Sequence, residues 1–175
     1  EKDDLTIYDD YAEFVDERTL DVDGTEVSAE KVVVAAGSRP LVPPIDGLDD
    51  VEYLTSRDAL YLREQPETLL ILGGGYIAVE LGYFFESLGT DVTTVEMMDS
   101  LVPREDPDVA EAFTEIASDR HDVYTGHRVT AVESDGGMIT AHAETEAGDE
   151  VSVTGVELLV ALGRRPNTDT LAVEA

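Results

Sequence analysis

A glycine-rich turn between an apolar run and a helical pattern constrains the fold of this chain more than any other feature. Residues 68–72 read Thr-Leu-Leu-Ile-Leu, which is typical of a strand buried on both faces. Gly73, Gly75 and Ala78 follow with the spacing G-x-G-x-x-A, and apolar residues then recur at helical intervals until Gly89. The sequence therefore predicts a strand, a tight turn and a helix, as in an α/β fold with a parallel sheet.

The segment after this helix completes a dinucleotide-binding fingerprint. A second strand pattern, Asp91–Val95, ends at the carboxylate of Glu96, about 20 residues after the glycines. Gly73 permits the tight turn, Gly75 lets the backbone approach a pyrophosphate, and Ala78 lets the helix pack close to the strand. The helix N-terminus offers free N–H groups to phosphates, and Glu96 is placed to accept hydrogen bonds from ribose hydroxyls. We predict a dinucleotide site; the alternative is a glycine turn with a purely structural role.

The residues after the second strand predict which nicotinamide dinucleotide is bound. A 2′-phosphate requires a basic side chain there, whereas a carboxylate repels it and binds the free hydroxyl. Glu96 is followed by Met97, Met98 and Asp99, and the next basic residue in the sequence is Arg104. We therefore predict NAD(H) as the cofactor in preference to NADP(H).

The charge of the chain excludes several classes of function. Among 175 residues, 40 are acidic and 11 are Lys or Arg, giving a net charge of -29. This charge argues against binding to nucleic acid and to anionic membranes. The acids are spread among apolar strands and helices, so we expect a folded protein with an acidic surface suited to molar salt, where charges are screened within a few ångström. A halophilic source and a cytoplasmic location are expected.

Neither a metal site nor a catalytic thiol is predicted. The chain contains no cysteine, which excludes a disulfide, a thiolate metal site and a cysteine nucleophile within it. The three histidines, His121, His127 and His142, share no spacing typical of metal ligands or of a catalytic centre. We therefore name no catalytic residue in this chain.

Short strands are predicted on both sides of the fingerprint. Those before it are Leu5–Tyr8, Tyr11–Val15, Thr19–Val22 and Glu26–Val27, the last two joined across a turn at Asp23–Gly24. Those after it are Val123–Tyr124, Val129–Glu133, Met138–Glu144, Val151–Thr154 and Val156–Ala161. The continuous apolar run Lys31–Ala36 is typical of a further strand buried on both faces.

Two further helices are predicted from their start signals and apolar residues. A short helix is expected from Ser56 or Arg57 to about Arg63. Asp106 as N-cap and Pro107 at the first helical position predict the start of another. Its expected apolar face is Val109, Phe113 and Ile116. The helix after the glycine turn is expected to bury Ile77, Leu81, Tyr83, Phe84, Phe85 and Leu88.

Three landmarks in a fixed order carry a resemblance to a known family. They are V-V-V-A-A-G-S-R-P at Val32–Pro40, L-G-G-G-Y-I-A-V-E-L-G at Leu72–Gly82 and L-L-V-A-L-G-R-R-P-N-T at Leu158–Thr168. In this order they are similar to the pyridine nucleotide–disulfide oxidoreductases, in the branch that uses two redox cysteines. The resemblance covers nearly the whole chain.

The resemblance implies an architecture as well as a family. It implies an FAD/NAD(P)-binding, Rossmann-like α/β fold with a parallel sheet, helices and a β-meander, plus part of an FAD domain. Residues 1–62 then correspond to the last part of an FAD-domain segment with its crossing linker. Residues 63–175 correspond to an inserted NAD-binding domain and the start of the return to the FAD domain. The family's redox cysteines and dimerisation domain correspond to no residues here.

The resemblance also implies roles for individual residues. The pyrophosphate loop and helix start correspond to Gly73, Gly74, Gly75, Tyr76, Ile77, Ala78, Val79 and Glu80. Tyr76 resembles a residue lying against the flavin, and Glu80 a carboxylate that pairs with a lysine beside it; on pattern alone Glu80 is equally a solvated helix acid. The ribose acid is Glu96. Val129 corresponds to a backbone contact of the adenine, although its pattern alone indicates core, and Gly163 lines the nicotinamide ribose.

The first landmark corresponds to an FAD contact at Ala36, Gly37 and Ser38. Relatives usually carry Thr where this chain has Ala36, so one hydroxyl group is missing from that contact.

The implied activity is electron transfer between NAD(H), FAD and a redox disulfide in a full-length homodimer. Oxidation of dihydrolipoamide is the first expectation for the dithiol substrate. Reduction of mycothione or another low-molecular-weight disulfide, and NADH oxidation, are the alternatives. The 175 residues alone are expected to act as a nucleotide-binding module without turnover.

Overall fold

The computed structural model describes residues 5–174, which fall into two compact units. The larger unit is Pro40–Gly163, and the smaller one combines the residues up to Arg39 with those from Arg164 onward. The predicted boundary between residues 62 and 63 concerns which cofactor each segment binds, and it stays a prediction.

Twelve strands and three α-helices are present in the described residues. In chain order they are β1 (Ala12–Asp16), β2 (Thr19–Val22), β3 (Thr25–Ser28), β4 (Ser38–Pro40), α1 (Ser56–Ala59), β5 (Thr68–Leu72), α2 (Tyr76–Ser87), β6 (Asp91–Val95), α3 (Pro107–Ser118), β7 (Asp122–Tyr124), β8 (Arg128–Asp135), β9 (Met138–Glu144), β10 (Glu150–Gly155), β11 (Glu157–Val160) and β12 (Arg164–Pro166). One 3-10 turn, Leu48–Asp50, precedes α1.

A four-stranded parallel sheet in the order β11-β5-β6-β7 is the centre of the larger unit. Leu70 of β5 lies opposite Leu158 on one side and Thr93 on the other. The order reverses between β5 and β11, because β6 and β7 follow β5 on one side while β11 lies on the other. Ligands of open parallel sheets bind outside the carboxyl ends of the strands at such a reversal, which is where the glycine turn lies.

The side chains of β5 alternate between two core layers. Leu69 and Ile71 pack with Ala78, Leu81 and Phe85 of α2 on one face of the sheet. On the other face, Leu70 and Leu72 pack with the antiparallel sheet β10-β9-β8, through Val132, Ile139, Ala141, Ala143 and Val153. The strand is therefore covered on both faces, as its continuous apolar run predicts. The predicted α/β class, with a parallel sheet and a β-meander, is confirmed.

The smaller unit contains an antiparallel meander, β1-β2-β3. Val22 pairs with Thr25, so Asp23 and Gly24 form the predicted two-residue turn, with φ of 47° and 81°. Positive φ at both central residues is what a type I′ hairpin turn requires. Two shorter strands, β12 and β4, pair with each other.

Two predicted strands are wrong. Leu5–Tyr8 forms no strand, and neither does the apolar run Lys31–Ala36, in which the side chain of Val33 is 86% exposed. A strand buried on both faces needs neighbours in a sheet, and no strand within residues 5–174 pairs with either segment. An apolar sequence is therefore not sufficient for a strand when no neighbouring strand is present to form its backbone hydrogen bonds.

The predicted helix starts are confirmed, but parts of the predicted buried faces are wrong. Asp106 caps α3 by accepting a hydrogen bond from Asp108 N at 3.0 Å. Its buried residues are Ala110 and Ala117 and Phe113 is half-buried, whereas Val109 and Ile116 are exposed. The buried stripe is therefore displaced by one residue along the helix, about 100° around its axis, from the predicted one.

On α2 the expected core residues Tyr83 and Phe84 are likewise exposed, as is Leu88 at its C-cap. The helix at Ser56 ends at Ala59 and not near Arg63, and Leu60 and Tyr61 beyond it are exposed. No helix among residues 5–174 is long and apolar enough to cross a membrane.

Candidate nucleotide site

The turn after β5 can be formed only by glycine at its first position. Gly73 has a φ of 110°, a conformation that L side chains rarely adopt. A Cβ added to it would lie 2.6 Å from the carbonyl oxygen of Ala161, just beyond β11. Gly73 N donates to Val95 O at 2.8 Å, and Ala161 N donates to Leu72 O at 2.9 Å. The turn is therefore clamped between the ends of two neighbouring strands, as the fingerprint predicts.

The third glycine faces open space at the start of α2. Gly75 is the N-cap residue, with φ -74° and ψ 178°, and no side chain of the described residues caps the helix there. An added Cβ at Gly75 would have no atom within 4 Å. Ala78, one turn later, is completely buried against β5. The first-turn N–H groups thus remain available to an anion.

The two longest helices, α2 and α3, differ in the charge of their first turns. The first turn of α2 carries no acidic residue, whereas α3 has the Asp106 cap and Asp108 in its first turn. Both helices have 12 residues. In a chain with net charge -29, an uncapped helix with no acidic residue in its first turn keeps its first-turn N–H groups and their partial positive charge for a ligand. A pyrophosphate group fits this position.

Glu96 lies directly after β6, and its carboxylate folds back onto the glycine turn. Oε2 accepts a hydrogen bond from Gly74 N, and Oε1 accepts one from Met98 N at 2.7 Å. The residue is 7% exposed, and its own N–H donates to Tyr124 O at 2.8 Å. A carboxylate provides about four lone-pair positions, so two remain for a ligand. The structure therefore brings together the predicted phosphate and ribose groups.

A cavity of about 320 Å³ adjoins the residues that follow Glu96. It is lined by Met97, Met98, Asp99, Gly126, Arg128, Glu144, Thr145 and Glu146. Hydrogen bonds from Gly126 N to Met98 O at 2.8 Å and from His127 N to Glu96 O at 3.0 Å hold the start of β8 beside this segment. The cavity is thus lined by a basic side chain, Arg128, although no basic residue directly follows Glu96 in the sequence.

Arg128 was missed because it becomes a neighbour of Met97 only through the β7–β8 connection. Its position 32 residues after Glu96 gives no short-range signal. Three carboxylates, those of Asp99, Glu144 and Glu146, line the same cavity. The cavity therefore carries more negative than positive charge.

The other predicted contacts are distributed more widely. Tyr76 is 61% exposed, and Glu80 is also exposed, one turn further along α2. Val129 is half-buried and packs against the core under the β8–β10 sheet. Gly163, with a φ of 138°, follows β11 and accepts a hydrogen bond from Leu41 N at 2.9 Å. The cofactor roles of these residues stay predictions.

In the smaller unit, the first and third landmarks meet. Asn167 donates from Nδ2 to Ala36 O and from its backbone N–H to Gly37 O, both at 3.0 Å. Arg164 Nε donates to Ser38 Oγ at 2.8 Å. These contacts hold Ala36–Ser38 in place, while their contact with FAD stays a prediction.

An ion-paired carboxylate lies next to these landmarks. The Arg39 and Arg165 guanidinium groups both donate to Asp169, and the hydrogen bond from Arg39 in particular holds the pKa of this carboxyl well below its usual range. Both arginines are thereby engaged with a neighbouring acid.

His121 packs against the parallel sheet and contacts Thr94 of β6. His121 Nε2 lies 3.2 Å from Thr94 Oγ1, and burial lowers the pKa of the His121 imidazole. No group of three or more candidate metal ligands occurs within the described part of the chain.

Comparison with known proteins identifies similar sequences over the whole chain. The family model described as pyridine nucleotide-disulphide oxidoreductase matches residues 1–175. Mercuric reductase from Staphylococcus aureus is 38% identical over 165 residues, covering 94% of this chain and 30% of that protein. Dihydrolipoyl dehydrogenase 2 from Haloarcula marismortui is 37% identical over 183 residues, covering 93% of this chain and 36% of that protein.

A solved structure is similar in fold. The HOCl-induced flavoprotein disulfide reductase RclA from Escherichia coli matches with a TM-score of 0.78 and 33% identity, covering 94% of this chain and 38% of that one. The chain thus spans about a third of the length of these relatives.

Proposed function

Because this chain belongs to the pyridine nucleotide–disulphide oxidoreductase family, we propose that its larger unit binds NAD(H) at the glycine turn and Glu96. Members of the family use FAD and NAD(P). The observation that carries the proposal is the uncapped, acid-free start of α2 beside the Glu96 carboxylate, in a chain whose charge is otherwise strongly negative.

The proposed phosphate contacts are backbone groups. Gly75 leaves open space, so the pyrophosphate can approach the first-turn N–H groups of α2 without meeting a side chain. Gly73 orients this turn by its positive φ and by the hydrogen bond from its N–H to Val95 O. These contacts do not distinguish NAD from NADP, because both cofactors contain the same pyrophosphate.

Discrimination between the two cofactors is assigned to Glu96. Its two unused lone-pair positions suit the two hydroxyls of an unmodified ribose, and its charge repels a 2′-phosphate. Arg128 in the neighbouring cavity provides an opposing attraction for a phosphate, but Asp99, Glu144 and Glu146 line the same cavity. The balance of charge favours NAD(H).

In the whole protein, the nicotinamide and the flavin supply the hydride-transfer chemistry. This chain's part is to bind and orient the dinucleotide through backbone N–H groups and one carboxylate. Tyr76 and Glu80, both exposed on the first half of α2, are proposed to face the flavin side of the site. Ala36–Ser38 are proposed to contact FAD. The full-length protein is proposed to be a homodimer located in the cytoplasm.

The proposed activity of the whole protein is NAD-dependent oxidation of dihydrolipoamide. Dihydrolipoyl dehydrogenases from Haloarcula marismortui and Halobacterium salinarum are each 37% identical to this chain, and its acidic surface suits molar salt. Identity alone does not separate this activity from mercuric reduction, since the Staphylococcus aureus protein of that name is 38% identical. Reduction of a low-molecular-weight disulfide and NADH oxidation are the other candidates.

A titration of the 175-residue chain tests the nucleotide site. NADH and then NADPH are added in molar KCl, and binding is followed by nucleotide fluorescence. We expect saturable binding of NADH and weaker binding of NADPH. Glu96→Ala should weaken NADH binding by about tenfold or more, as expected for loss of a charged hydrogen-bonding partner. Glu111→Gln, an exposed charge change on α3, is the control and should bind as the wild type.

Equal or tighter binding of NADPH would refute the NAD(H) assignment, and an unchanged affinity in Glu96→Ala would refute the role of Glu96. Absence of binding to both nucleotides would mean that the site requires the FAD domain or that the glycine turn has only a structural role. The substrate is tested with the full-length protein by comparing NAD-dependent oxidation of dihydrolipoamide with NAD(P)H-dependent reduction of Hg(II) and of small disulfides.

A further inference from the structure

The middle glycine of the turn, Gly74, is enclosed by the segment that follows β6. Its N–H donates to Glu96 Oε2, and its carbonyl oxygen accepts from Val102 N at 2.7 Å. Its Cα faces the side chains of Leu101 and Glu96. The fingerprint specifies only the first and third glycines and leaves this position variable. The need for a residue without a side chain at position 74 therefore arises from Glu96 and from the loop of residues 97–102, to which Gly74 is hydrogen-bonded.

Space at position 74 is limited by two side chains that have little freedom to move. An added Cβ would lie 2.7 Å from Leu101 Cδ2, 2.9 Å from Glu96 Cγ and 3.0 Å from Glu96 Cβ. Carbon atoms pack best at about 3.5–4.0 Å, so these atoms would have to shift. Leu101 is 1% exposed, and Glu96 is held by two N–H donors. Gly74 does not have a positive φ, so the obstacle to a side chain is space alone.

The loop that forms this wall is itself held in an unfavourable conformation. Val102 has a φ of 45°, which is sterically unfavourable for a β-branched residue. Its N–H is bonded to Gly74 O, and the neighbouring Leu101 N donates to Thr114 Oγ1 at 2.9 Å. The loop is thus fixed both to the glycine turn and to α3, and it cannot withdraw freely from a larger residue at position 74.

We propose that Gly74 determines the choice between NAD and NADP by leaving the room in which the Glu96 carboxylate folds back onto the glycine turn. This inference rests on the proposed function, because it takes Glu96 as the acceptor for the ribose hydroxyls. With one oxygen bonded to Gly74 N and the other to Met98 N, the carboxylate is oriented before a ligand binds. Gly74 is a positioning residue, since it acts through Glu96.

The variant Gly74→Ala is expected to change cofactor preference. The added methyl group displaces Glu96 Cγ and thereby lengthens or breaks the bond from Oε2, since hydrogen bonds weaken steeply beyond normal distance. We expect the Kd for NADH to rise by about tenfold, the effect of losing an oriented charged hydrogen bond. The Kd for NADPH should stay unchanged or fall, because Glu96 repels its 2′-phosphate. The ratio of the Kd for NADPH to the Kd for NADH therefore falls.

Gly82→Ala is the matched control. Gly82 lies on α2 in the same strand–turn–helix unit, and an added Cβ would meet Ile71 Cδ1 at 3.3 Å, away from Glu96. The same chemical change there should leave both dissociation constants as in the wild type.

A double-mutant cycle with Glu96→Ala tests whether Gly74 acts through Glu96. We expect Gly74→Ala to have almost no further effect on NADH binding once the carboxylate is removed, since the two residues form one interacting unit. The double variant Gly74→Ala, Leu101→Ala removes the shortest of the three contacts and retains the one with Glu96 Cγ. It is used if Gly74→Ala does not fold, and it should show the same reduced NADH preference.

Three results would overturn the inference: a wild-type preference ratio in the position-74 variants, an equal loss of both cofactors, or additive effects of Gly74→Ala and Glu96→Ala. Failure of the proposed function is distinguishable, because the wild-type chain itself would then bind no NADH or would prefer NADPH.

Discussion

Substituting the first and third glycines of the turn by alanine should separate stability from ligand binding. At Gly73, an alanine must adopt a φ of 110° with its Cβ 2.6 Å from Ala161 O and 2.9 Å from Ala161 C. Strained backbone conformations cost about 1–3 kcal/mol and overpacking costs about 1–3 kcal/mol, so Gly73→Ala should lose about 2–6 kcal/mol. That is a large fraction of a total stability of about 5–15 kcal/mol.

At Gly75 the same substitution meets none of these obstacles. Its φ is -74°, and an added Cβ has no atom within 4 Å. Removing a glycine at a compatible position reduces the entropy of the unfolded chain, so stability should stay equal or rise by up to about 1 kcal/mol. NADH binding should nevertheless be lost, because the methyl group lies where the proposed pyrophosphate approaches the backbone.

Thermal melts in molar KCl, followed by circular dichroism at a helix band, measure this difference. All three α-helices found in residues 5–174 belong to the larger unit, so the signal reports on the part that contains the turn. For a chain of this size, about 2–4 °C of Tm is expected per kcal/mol. The reasoning would be refuted by a Gly73→Ala variant that melts within about 2 °C of the wild type, or by a Gly75→Ala variant that is equally destabilised.

Three further predictions concern the core, an ion pair and the surface charge. Phe85→Ala should cost about 3–5 kcal/mol, because Phe85 is 3% exposed. Phe84 is 51% exposed and makes an edge-to-face contact with Phe85, so Phe84→Ala should cost about 0.5–1.5 kcal/mol. Equal losses in chemical unfolding of the two variants would contradict this. Asp169→Asn should lower stability slightly at neutral pH, because Arg39 and Arg165 depress the pKa of Asp169 in the folded state. The contribution of a depressed carboxyl pKa is complete above the unfolded pKa and is lost as the pH falls through the folded pKa. The difference in Tm from the wild type should therefore shrink below about pH 4, and a difference that grows there would contradict the account. Raising KCl from about 0.1 M to 1 M shortens the screening length from about 10 Å to 3 Å. Because the chain has a net charge of -29, this screening should raise the Tm. A fall in Tm would show that repulsion among the acidic side chains does not limit the stability of the fold.

The strand–turn–helix–strand unit was predictable because its signals are local. The run of β5, the φ required at Gly73 and the small side chain at Ala78 are all set by neighbours within a few residues. Glu96 follows from the same local spacing. Its bond to Gly74 does not, because that contact depends on how the loop after β6 folds back.

Elements whose environment is supplied by distant residues were not predictable in this way. Lys31–Ala36 has the composition of a buried strand, but no strand among residues 5–174 pairs with it. The faces of α2 and α3 were misjudged at Phe84 and Ile116, because which stripe is buried depends on the surface against which a helix packs. Arg128 belongs to the cavity beside Met97 only through the β7–β8 connection.

Mapping the NADH site by amide chemical shifts in molar KCl tests the location of the proposed nucleotide site most directly. Addition of NADH to the isotopically labelled chain should shift the amide signals of Gly75, Tyr76 and Ile77 and those of Met97 and Met98. The signals of the β2–β3 hairpin, which belongs to the smaller unit, should stay in place. Saturable shifts elsewhere with none at the start of α2, or no shifts at any NADH concentration up to millimolar, would contradict the assignment of the dinucleotide site to this turn.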